Sequence, residues 1–98
     1  MSELPADLTV ADRADLGRFE LRRGDELLAF ADYTVHDDVV VMPHTVTLPA
    51  HRGEGNAARV VSFALGEIRR SGRRVDPQCW FVAQYVADHP EFHDLRAG

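Results

Sequence analysis

The hydrophobic pattern of this chain changes period once, and a glycine-bearing segment stands at the change. Up to Pro49 the apolar residues come in short alternating or β-branched runs; beyond it they fall at helical spacing. Side chains of a strand alternate between faces, whereas one face of a helix recurs every turn. The chain therefore has to place a group of strands ahead of an amphipathic helix. Arg52-Gly53-Glu54-Gly55-Asn56-Ala57 is the joint between them.

The strands can be read individually. Leu8 to Asp12 is a weak candidate, followed by a turn near Gly17. Arg18 to Arg22 alternates charged with apolar, and Gly24-Asp25 turns the chain into a run from Leu27 to Val35. After His36-Asp37-Asp38 a long run from Val39 reaches Leu48, with Pro43 inside it. Proline cannot donate to a ladder, so Pro43 predicts an edge position or a bulge. Short connections predict an antiparallel meander. Ala57, Val60, Val61, Ala64, Leu65 and Ile68 then form one helical stripe, with Asn56 and Arg59 on the opposite, solvated face. Arg69 and Arg70 suit the negative end of this helix, and Gly72 suits its stop. Arg73 to Val75 reads as a short strand. Asp76-Pro77 reads as the cap and first residue of a second helix carrying Phe81, Val82, Tyr85 and Val86, ended by His89-Pro90. Trp80 is expected to pack against the sheet, or else to line an acceptor groove. The predicted class is α+β: about five mainly antiparallel strands with two main helices, in one domain over 1–98, with 1–7 loose and 95–98 a tail.

Charge and composition narrow the function. The net charge is −5, a poor match for general nucleic-acid binding. The first fifty residues hold ten acids and four arginines, −6; the rest hold six acids and seven arginines, +1. There is no lysine, which excludes a Schiff base and a lysine-bearing phosphate loop. No apolar run is long enough to span a membrane, and the acidic N-terminus lacks the apolar core of a signal peptide. A single cysteine, Cys79, can form no internal disulfide, so a cytoplasmic location is the default expectation. His36, His51, His89 and His93 lack metal-ligand spacing, and no metal is expected.

Two glycines between a strand and a helix let the backbone come close to a ligand, and the first N–H groups of the helix then make an anion site. An ordinary strand-to-helix turn has the same two glycines, so the wider sequence has to decide. His44-Thr45-Val46-Thr47-Leu48-Pro49-Ala50-His51-Arg52-Gly53-Glu54-Gly55-Asn56-Ala57 resembles the signature of the GNAT superfamily of acyl-CoA N-acyltransferases. Its Gln/Arg-x-x-Gly-x-Gly/Ala motif is met by Arg52, Gly55 and Ala57, with Pro49 three residues earlier. More narrowly, the chain is similar to a very small GNAT-like family with a strand ending in His-Thr. That family continues with a Pro-x-Cys-x-Phe-Val-x-x-Tyr segment and then His-Pro-Glu-aromatic. Here these are Pro77 to Tyr85 and His89-Pro90-Glu91-Phe92. The chain departs at Val46, where the family has Glu, and at Thr47 and Asn56, where it has aliphatic residues.

The resemblance implies a minimal GNAT-like fold that binds acetyl-CoA and passes the acetyl group to an amine, as a monomer or weak dimer. Thr47 and Leu48 at the strand end, with Arg52, Gly53, Glu54, Gly55, Asn56 and Ala57, would hold the cofactor, Glu54 pointing outward. Backbone N–H groups near His44–Leu48 would polarise the thioester. The family's suggested nucleophile falls on Cys79. With Asp76 as cap, Cys79 would be the third residue of its helix, where the dipole favours a thiolate; the alternatives are direct attack of the amine on acetyl-CoA with Cys79 only lining the site, and a buried structural cysteine. A tyrosine that protonates the leaving thiolate in larger relatives falls near Tyr85, which can equally pack beside Phe81. His44 can serve as general base for the amine or as a hydrogen-bonded structural histidine. Arg59 can reach a phosphate or stand in solvent. Three functions remain open: an acetyltransferase, a CoA-binding module, and an interaction domain without cofactor.

Overall fold

The computed structural model describes residues 4–97. The runs before Pro49 become four strands, β1 Leu8–Arg13, β2 Arg18–Arg23, β3 Glu26–His36 and β4 Val39–Thr47. The 16-residue helix α1, Asn56–Ser71, follows a 3-10 turn at Pro49–His51. Next come a short β5, Arg74–Asp76, the helix α2, Trp80–Asp88, and a 3-10 segment at Pro90–Leu95. The sheet runs β1-β2-β3-β4-β5. Its first four strands form the antiparallel meander, and β5 lies parallel to β4. A parallel neighbour needs a crossover, and α1 supplies it.

The core is built from the two periodicities. Phe19, Leu21, Ala29, Ala31 and Met42 come from the sheet, and Val60, Val61, Ala64, Leu65 and Ile68 come from α1. Burying each larger aliphatic side chain is worth about 1.5–3 kcal/mol. That far exceeds the penalty of about 1 kcal/mol for Gly66 within the helix. Val82 and Val86 bring α2 to the same core. On β2, Glu20 lies on the face opposite Phe19 and Leu21. It is covered by guanidinium groups rather than core atoms, with Arg18, Arg22 and Arg13 at 2.6, 3.1 and 3.5 Å.

Pro43 does mark a bulge. Asp32 pairs with His44 and Thr34 with Val41, so Met42 and Pro43 together oppose Tyr33. Beyond Val41, β4 also parts from β5, whose ladder covers only Val39–Val41. One further bond, Cys79 N–H to Met42 O at 2.9 Å, closes the parallel side. The last third of β4 therefore has an open edge.

Five expectations need correction. Asp76 does not cap α2; it is the last residue of β5, opposite Val41. Pairing with β4 keeps the chain extended through Cys79, which becomes the cap itself with φ −69° and ψ 129°. Trp80 does not pack on the sheet and is 77% exposed, because the later helix start turns it outward. Asn56 is not on a solvated face but 2% exposed, because the preceding loop folds back over it. The tail is structured: Leu95 is buried, Ala97 N–H donates to Val75 O at 2.8 Å, and Arg69 of α1 binds Asp94 and the Glu91 carbonyl. At the other end, the expected loose segment is partly tied down. Leu4 packs on the core and Asp7 pairs with Arg23 at 2.9 Å, while residues 1–3 lie outside the described residues.

Candidate active site

The joint at 52–57 forms a loop whose glycines are needed. Gly53 and Gly55 have φ of 80° and 81°, a left-handed region that side chains rarely adopt. Gly55 is the residue before α1, and neither a side-chain cap nor an acid sits on the first turn of the helix. Among the described residues, no hydrogen bond holds the backbone N–H groups of Gly53 to Ala58. Such a run of fixed donors at the positive end of a helix suits an anion.

Asn56 keeps that loop in shape. Its Nδ2 donates to His51 O at 3.2 Å and to Glu54 Oε1 at 3.0 Å, and its Oδ1 accepts from Arg59 at 2.8 Å. Arg59 also donates to Glu54 O at 2.9 Å. The Glu54 carboxylate is thus drawn onto Asn56 and His51. Arg59 is used as a brace for the loop rather than standing free in solvent.

The loop opens into a cleft of about 500 Å³, lined by Thr45, Val46 and Thr47 of β4, Arg52, Ala57, and Cys79, Trp80 and Phe81 at the start of α2. The parting of β4 from β5 makes the cleft. Leu48 N–H is taken by Leu28 O at 2.9 Å, so Leu48 offers no amide there and does not line the cleft. Successive strand amides point to opposite edges. Thr47 and Thr45 therefore direct theirs to the open edge.

Cys79 lies on the floor of this cleft, half-buried, with Sγ 3.6 Å from Thr45 Oγ1. Burial pushes the thiol pKa up. The amides of Val82, Phe81 and Thr45 and the Thr45 hydroxyl together outweigh it, and the net result lies below the ordinary value. The later start of α2 makes Cys79 the cap, next to the free N–H groups of the first turn, although its side chain makes no capping hydrogen bond to them. A smaller cavity of about 160 Å³ beside Tyr33, Ile68 and Arg73 is lined by neither the loop nor the cysteine.

The sequence model of the GCN5-related N-acetyl-transferase family matches residues 18–95. The chain belongs to this family. The crystal structure of the ribosomal-protein-S18-alanine N-acetyltransferase from Escherichia coli has the same fold in part, with a TM-score of 0.56 at 15% identity. The match covers 74% of this chain and 42% of that one, so the chain spans less than half the length of this relative. No curated protein matches the sequence. No described helix is long and apolar enough to cross a membrane.

The other residues singled out by the family resemblance are not all brought together. His44 is exposed and shares a recess of about 440 Å³ with Thr45, Gln78, Cys79 and Trp80, next to the cleft. Its Nδ1 is 3.7 Å from Asp32 Oδ2. Sequence reading missed Asp32; only the cross-strand register, Asp32 opposite His44, reveals it. Tyr85 lies apart from the cleft, stacked on His89 with ring centres 3.8 Å apart and near Phe92 at 6.3 Å. Trp80 lines the cleft and is largely exposed rather than packed against the sheet.

Proposed function

We propose that the chain is an acyl-CoA-dependent N-acetyltransferase domain whose cleft holds acetyl-CoA. The observation that carries this is the run of unpartnered amides from Gly53 to Ala58 beside a cleft lined by Arg52, Ala57 and Cys79. Those amides fit a pyrophosphate, Arg52 adds a positive charge at the rim, and Glu54 is held away by Asn56. The Thr45 and Thr47 amides, aimed at the open edge of β4, would polarise the thioester carbonyl.

Cys79 is the residue we assign to acyl transfer. Its Sγ, as a thiolate, attacks the thioester carbonyl carbon; the bond from that carbon to the CoA sulfur breaks, and CoA leaves as thiolate. The neutral acceptor amine then attacks the Cys79 thioester, and the amide forms as Sγ is released. His44, beside Asp32, takes the proton that the amine gives up.

Calorimetry with acetyl-CoA tests the cleft, and absence of binding sinks the reading. Mass spectrometry after incubation with acetyl-CoA tests the covalent step: one acetyl group on Cys79 is expected, and a Cys79→Ala chain that transfers at full rate would rule the step out. A second reading, a CoA-binding module without efficient transfer, has one observation behind it: Tyr85 does not line the cleft, so the proton donor of larger relatives has no counterpart there. Failure to acetylate any amine in a broad panel would favour it.

A further inference from the structure

The outward turn of Trp80 creates a second feature. Positions 80, 84 and 88 form one ridge of α2, and 81, 85 and 89 form the next, since residues four apart align along a helix. Trp80, Gln84 and Asp88 face Phe81, Tyr85 and His89 across a groove of about 170 Å³. Trp80 and Phe81 line both this groove and the cleft that holds Cys79. The groove therefore begins at the cleft mouth, runs past the rings of Trp80, Phe81 and Tyr85, the last with one face on His89, and ends at a carboxylate.

Its chemistry selects a cation on an apolar chain. Aromatic faces attract ammonium groups. Asp88 brings negative charge, its Oδ1 steadied by Gln84 Nε2 at 2.9 Å. The Tyr85 hydroxyl and His89 Nε2 have no hydrogen-bond partner among the described residues, while His89 Nδ1 is engaged by Tyr85 O at 2.7 Å. Two and a half turns, roughly 13 Å, separate Asp88 from Cys79. An amine bound at Asp88 is thus too far away to react. A second amine on the same chain reaches the cleft. A helix flank also offers no free backbone edge to a peptide.

We infer that the groove binds linear aliphatic diamines and longer polyamines, anchoring one ammonium at Asp88 while the other end meets the acyl group. This rests on the acetyltransferase reading above and names its acceptor class.

Trp80 is the only tryptophan of the chain, so its fluorescence reports on the groove without any cofactor. In the intact chain, titration with α,ω-diamines of increasing length should give a saturable change, weakened about tenfold by Asp88→Asn. Asp88 is exposed, and the isosteric change leaves the fold in place. With acetyl-CoA present, diamines long enough to span the groove should show a KM at least about tenfold below that of monoamines of equal length. Asp88→Asn should erase that gap. No saturable change, an equal response in Asp88→Asn, or a response to a lysine-bearing peptide but not to diamines would overturn the inference. Calorimetry with acetyl-CoA separates the two ideas: cofactor binding without diamine binding defeats the groove alone, and loss of cofactor binding defeats the transferase reading while the fluorescence titration still judges the groove.

Discussion

At the scale of the residue, Cys79 owes its character to position rather than to a charged partner. The thiol is surrounded by amides of two elements and one hydroxyl, all of which favour the thiolate. Alkylation of this single cysteine by iodoacetamide across a pH series should therefore give a pKa below that of the same thiol in the unfolded chain. Thr45→Val should move it back up. An unshifted profile would show that the donors do not act on the sulfur. The linkage has a definite sign. Between the folded and unfolded pKa values the folded chain carries thiolate and the unfolded chain carries thiol, so stability rises with pH there. The contribution is complete above the unfolded value and is lost as pH falls through the folded one.

At the scale of the element, the loop and α1 depend on a backbone that only glycine takes easily. Gly55→Ala should cost about 1–2 kcal/mol in urea unfolding, from forcing a side chain into left-handed geometry. Nothing lies within 4 Å of the added carbon, so no clash adds to it. Calorimetry should show weaker acetyl-CoA binding in the same variant. The elements themselves were largely legible. The alternating runs, the stripe from Ala57 to Ile68, the stop at Gly72 and the bulge at Pro43 all follow from local rules. The misreadings have one cause, a tertiary contact that local rules do not contain. Asp76-Pro77 looks like a helix cap, but pairing with Val41 keeps it in a strand. Asn56 falls on the polar side of the helix, yet the loop before it closes over it. The glycine-bearing loop and Cys79 were visible as motifs, whereas Asp32 beside His44 and the shape of the groove behind Trp80 exist only once strands and helix turns are in register.

At the scale of the whole molecule, the last residues are part of the structure. Leu95 is 5% exposed, while Leu16 in the β1–β2 turn is 51% exposed. Leu95→Ala should cost about 2–5 kcal/mol, a core-sized loss. Leu16→Ala should stay within about 0.5 kcal/mol. Denaturant curves for the two variants check this directly, and equal values would mean that the C-terminal segment adds nothing to the core.

The parting of β4 from β5 has a consequence for solubility. An unpaired strand edge is a template on which a strand of another molecule can add. The stretch from Thr45 to Thr47 is such an edge, and Arg52, Ala57 and the start of α2 stand across the cleft from it. A ligand seated in the cleft would occupy that edge. Light scattering at elevated temperature should therefore show slower aggregation with acetyl-CoA than without, by more than the shift in melting temperature explains. If the cleft takes acetyl-CoA as proposed, the ligand would shield this edge as well as feed the reaction.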